Sequence, residues 1–103
     1  MCSSDLKRLK MKNNLYKDAI AKFGQVMQIT MFFEEASELI KELTKELRGK
    51  GNRENIAEEI ADVEIMLEQL KTIFNNNDLI QEFKIEKLKR LEKILKNKNK
   101  ENL

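Results

Sequence analysis

From residue 15 to residue 96 the chain sets apolar side chains at helical spacing, in one short stretch and three long ones, separated by clusters of glycine or asparagine. Apolar residues recurring at i, i+3, i+4 and i+7 mark helices with one covered face. The pattern predicts a short helix over residues 15–23, with Asn14 as its N-cap and Gly24 as its break. A long helix follows over residues 25–48, with Phe32, Ala36, Leu39, Ile40, Leu43 and Leu47 as its core-facing row. The segment GKGN, residues 49–52, supplies glycine for the left-handed end of that helix. A second long helix is expected over residues 53–74, capped by Asn52 or Asn55, with Ile56, Ile60, Val63, Leu67, Leu70 and Phe74 as its row. NNND, residues 75–78, ends it, and Asp78 caps a last helix over residues 79–96.

Composition agrees with an all-α chain. Proline is absent, only three glycines occur and 37% of residues are charged, against about 25% in ordinary domains. At 103 residues there is room for one core. We expect a flexible N-terminal extension over residues 1–14, one helical domain over residues 15–96 and a flexible basic tail over residues 97–103. Met27 and Met31 stand off the main row of the first long helix, and Ala61 and Ile65 stand opposite that of the second. Helices apolar on more than one face are covered on more than one face. The expected architecture is therefore an antiparallel helical bundle completed by oligomerisation, as a homodimer or homotetramer.

The net charge of +2 gives no strong pull toward nucleic acid, and no apolar run approaches the length that crosses a membrane. The single cysteine, Cys2, offers no disulfide framework, which fits a reducing cytoplasm.

The chemistry lies in MFFEEASELI, residues 31–40, and EEIADV, residues 58–63. Glu35 with Glu38, and Glu59 with Asp62, are pairs three apart, so each pair shares a helix face. Glu38 and Asp62 each lie twelve residues from Lys50, the centre of the turn, so an antiparallel hairpin brings the four acids level. The positions four residues after them hold Leu39, Glu42, Val63 and Met66, none of them a cation. Either this is a solvated acidic face, or a cation from elsewhere belongs there. With no histidine in the chain, di-iron and catalytic zinc sites are disfavoured, whereas carboxylate oxygens alone suit Mg²⁺, with Mn²⁺ as substitute.

Glu35-Ala-Ser-Glu38 followed after a gap of twenty by Glu59-Ile-Ala-Asp62 resembles the E-x-x-E, E-x-x-D signature of the all-α nucleoside triphosphate pyrophosphohydrolases. This is the MazG-like group of bacteria and phages, related to the dimeric dUTPases. AKFGQVMQITMFFEEASELIKEL, the RGKGN turn, EEIADVEIMLEQL and KIEKLKRLEKIL extend the likeness over roughly residues 15–95. The resemblance implies hydrolysis of a nucleoside triphosphate to monophosphate and pyrophosphate, with Glu35, Glu38, Glu59 and Asp62 as Mg²⁺ ligands. Glu34 is then a second-metal ligand or a water-orienting acid. Lys45, Lys87 and Arg90 are candidates for gripping phosphates, and Gln28, seven residues before Glu35, for reading a nucleobase edge. The competing reading is a non-catalytic helical oligomeric interaction module.

Overall fold

A computed structural model describes residues 3–101, and among them every regular element is a helix. In chain order these are α1 (Ser3–Lys10), α2 (Lys12–Phe23), α3 (Gln25–Leu47), α4 (Arg53–Phe74) and α5 (Asn77–Glu101). No helix among the described residues is long and apolar enough to cross a membrane. Cys2 and the last two residues of the basic tail lie outside the described residues.

α3 and α4 form an antiparallel hairpin, and α2 lies against both. The reversal between α3 and α4 follows from local chemistry. Lys50 N–H donates to Lys45 O at 3.0 Å and Gly49 takes φ 78°, closing α3 in a Schellman-type turn. Asn52 then caps α4, its side chain accepting from Asn55 N–H at 3.0 Å, which settles the cap on Asn52 and leaves Asn55 inside the first turn. Gly24 separates α2 from α3 with φ 87° and ψ 155°, a backbone region that is essentially glycine's alone.

Three boundaries differ from the sequence pattern. Helix occupies residues 3–10 and α2 starts at Lys12, so Asn14 is an interior residue; nothing between Ser3 and Phe23 is a glycine or proline that would stop it. Asp78 sits within the first turn of α5 rather than ahead of it, where it still complements the helix dipole. At the other end α5 runs on through the basic segment to Glu101.

α2 is fastened to α4 by a polar node. Tyr16 is buried, and its hydroxyl donates to Glu68 Oε2 at 2.5 Å while Lys12 Nζ donates to Glu68 Oε1 at 3.1 Å. The hydrogen bond from Tyr16, helped by Lys12 against the cost of burial, holds the Glu68 carboxyl below its usual range. Burial, the bond to Glu68 and the charge of Glu68 together push the Tyr16 phenol up to about 12.

The remainder of the molecule is thinly packed. Tyr16 and Met66 are the only large apolar side chains that are buried among the described residues. The radius of gyration is 17.9 Å, against about 13 Å expected for a compact chain of this length. The cause is α5, where every described residue from 81 to 97 is exposed.

Tyr16→Phe should lower stability at pH 7 by about 1–2 kcal/mol, because a part-exposed hydrogen bond to a carboxylate is lost. Since a depressed carboxyl stabilises above about 4.5 and loses that contribution as pH falls through its folded value, the difference should shrink in acid. Urea denaturation of both proteins at pH 7 and pH 3 measures this; equal stability at pH 7 contradicts the anchoring role.

Candidate metal centre

The surfaces by which α3 and α4 meet are not their most apolar ones. On α3 the inward row is Gln28, Glu35 and Glu42, seven residues apart, flanked by half-buried Met31, Phe32 and Leu39. On α4 it is Glu59, Asp62, Met66, Gln69 and Ile73, at alternating spacings of three and four. These are the seam positions of a paired-helix heptad, occupied largely by polar groups. Gln28 is only 2% exposed, and Glu42 and Gln69 are also buried.

Within the seam Glu35, Glu59 and Asp62 converge. One carboxylate oxygen from each lies within 4.8 Å of the others, and all three side chains are half-buried. Oxygen ligands at about 2.0–2.6 Å from a hard cation span such distances. Burial, the negative charge of Asp62, hydrogen bonding with Asp62 and the charges of Glu59 and Glu34 raise the Glu35 carboxyl above its usual range. Glu59 is raised too, first by burial and then by the charges of Asp62, Glu38, Glu58 and Glu42. No lysine or arginine bonds to these three carboxylates among the described residues, and Glu59 Oε2 is buried without a hydrogen-bond partner. An all-oxygen set with an orphaned buried acceptor fits a small divalent cation.

Other residues singled out by sequence fall at different distances from this point. Glu38 is exposed and outside the converging three, although Glu59 feels its charge. Glu34 is exposed and lines a shallow hollow with Phe33, Glu35, Ser37 and Glu38. Lys45 is half-buried and donates from Nζ to Glu42 Oε1 at 3.3 Å, at the turn-proximal end of the seam. Gln28, the amide suggested for reading a nucleobase, is closed inside the helix pair. Lys87 and Arg90 stand on the exposed length of α5 and are not brought to the acids within one chain.

One acid escaped the sequence reading. Glu42 is buried, its Oε2 has no partner and its charge acts on Glu59. Its signal was available, because it continues the seven-residue spacing that links Gln28 to Glu35. No protein-family model, curated protein or solved structure matches this chain.

A carboxyl raised in the folded state stabilises fully below its unfolded value and loses that contribution as pH rises through the folded value. The repulsion at Glu35 and Glu59 is therefore weakest below pH 4.5 and grows as pH rises through their raised values. In EDTA, the wild-type melting temperature should fall relative to Glu59→Gln as pH is raised from 4.5 to 7. Saturating Mg²⁺ at pH 7 should raise the wild-type value and leave the variant's unchanged. Circular dichroism melts measure both; a wild-type value indifferent to Mg²⁺ contradicts a cation site.

Proposed function

We propose that this chain is a Mg²⁺-dependent nucleoside triphosphate pyrophosphohydrolase of the MazG-like all-α type, acting on the cytoplasmic nucleotide pool as a homodimer or homotetramer. The observation that carries the reading is the convergence of Glu35, Glu59 and Asp62, with Glu59 Oε2 buried and unpartnered. Glu35, Glu59 and Asp62 would hold the Mg²⁺, with Mn²⁺ as substitute, and Glu38 would join them from the exposed side. When bound, the ion supplies charge neutralisation, a water of lowered pKa and alignment for in-line attack.

The chain's own residues do the rest. Rigid α3 and α4 hold the carboxylates at fixed separation, so little reorganisation is needed when the triphosphate arrives. Glu34, exposed at the rim, orients water or accepts its proton as water adds across the α–β anhydride and the bond to the bridging oxygen breaks. Lys45, tethered by Glu42, is the candidate on α3 to grip the leaving pyrophosphate. Lys87 and Arg90 are further candidates, and reach the phosphates only if α5 is brought to the acids by assembly.

The second reading, a non-catalytic helical interaction module, is favoured by the apolar side chains exposed along α3, α4 and α5. A panel of ribo- and deoxyribonucleoside triphosphates incubated with Mg²⁺ or EDTA separates the two. Pyrophosphate should be released with Mg²⁺ alone, and Asp62→Ala should lower the rate by more than about 100-fold while keeping its helix content. Absence of metal-dependent release with every nucleotide sinks the enzymatic reading.

A further inference from the structure

Where α2, the end of α4 and the start of α5 come together, they enclose a cavity of about 420 Å³. Three lysines line it: Lys12 and Lys17 from α2, and Lys71 from the last turn of α4. The amides of Asn13, Asn75 and Asn77 stand beside them. Glu68 is the one acid among the lining residues, and both of its oxygens are already engaged, one by Tyr16 and one by Lys12. Lys17 and Lys71 form no ion pair among the described residues. Lys71 is half-buried, so its charge is less screened than on an open surface.

The backbone adds charge of the same sign. The N–H groups that open a helix have no partner within it, and Asn77, the first residue of α5, brings that positively polarised end to the cavity. Asp78, in the same turn, does not line it. The cavity is also separate from the acid seam. Glu68, Lys71 and Thr72 lie roughly half to three-quarters of a turn round α4 from Asp62, and about 9–15 Å further along the helix. None of Glu35, Glu59 and Asp62 lines it.

We propose that this cavity is a second ligand site, which takes a small polyphosphate anion: inorganic pyrophosphate or the phosphate chain of a nucleotide. A lysine ammonium binds phosphate oxygens as a compact point charge, and three of them from two helices suit a chain of phosphates better than a single carboxylate. The volume is that of a small-molecule pocket. Held there, the anion bridges α2 to α4 and to the start of α5, beside the contact that Tyr16 and Lys12 already make with Glu68. It binds by neutralising lysine charge, with no metal required. The inference rests on this cavity alone and does not depend on the chemistry of the acid seam.

Pyrophosphate titrated calorimetrically into the wild-type chain, in EDTA and at low ionic strength, should bind at one equivalent and raise the melting temperature. Lys17→Ala combined with Lys71→Ala should weaken binding by at least about 10-fold. Lys89→Ala combined with Lys93→Ala, on the exposed length of α5, should leave it unchanged, as should Glu59→Gln. The wild-type chain also gives an answer that does not depend on variants folding: pyrophosphate should protect Lys17 and Lys71 from acetylation while Lys89 and Lys93 stay reactive. A nucleoside triphosphate titrated in parallel identifies the source. Tighter binding than pyrophosphate assigns the site to nucleotides, and equal or weaker binding assigns it to the free anion. Absence of binding by both, binding undiminished without Lys17 and Lys71, binding lost with Glu59→Gln, or equal protection of all four lysines overturns the proposal. A single-stranded oligonucleotide that binds more tightly than either, and is lost equally with Lys89 and Lys93, overturns it in favour of a nucleic-acid surface.

Discussion

Two helices that meet through carboxylates repel each other unless the charge between them is neutralised. In this chain the seam between α3 and α4 brings Glu35, Glu59 and Asp62 together, with Glu42 buried beside them. No basic side chain is bonded to those three among the described residues. The hairpin is therefore held by its flanking apolar contacts, its tight turn and the strap of α2, against an electrostatic cost at its centre. A cation in the seam removes the cost. On the reading proposed above, the charge that strains the seam is the same charge that would attract a cation, so folding and ion binding would share one set of residues.

The same arrangement explains the bare outer face. With the seam given over to polar groups, the apolar rows of α3 and α4 are turned to one side, where much of them stays exposed. α5 does not cover them, since it projects away along most of its length. The polar seam and the exposed apolar rows follow from one choice of which face each helix presents to the other.

How far this was legible in the sequence varies with the range of the interaction concerned. α4 begins and ends where its glycine and asparagine punctuation says it should, and α3 ends within a residue of expectation. Those limits are local chemistry. The Glu59–Asp62 pair was also legible, because i, i+3 spacing fixes a shared face, whereas Glu38, three after Glu35, stays exposed outside the converging three. Which face becomes the interface was not: the rows through Ile40, Leu43 and Leu47 and through Ile60, Leu67 and Phe74 are the more apolar, yet the structure pairs the rows through Glu35 and Glu59. Periodicity says a face is covered without saying what covers it. The burial of Gln28 and Glu42 and the remoteness of Lys87 and Arg90 are consequences of that same tertiary choice.

The central claim is that the Glu35, Glu59 and Asp62 carboxylates form one cation site. Mn²⁺ titrated into the protein can be followed by the electron paramagnetic resonance signal of the free hexa-aquo ion. The account predicts that wild-type protein removes at least one equivalent of that signal, that excess Mg²⁺ restores it, and that Glu59→Gln or Asp62→Asn abolishes the uptake. Undiminished Mn²⁺ signal with the folded wild-type chain, or equal uptake by the folded variants, would contradict it.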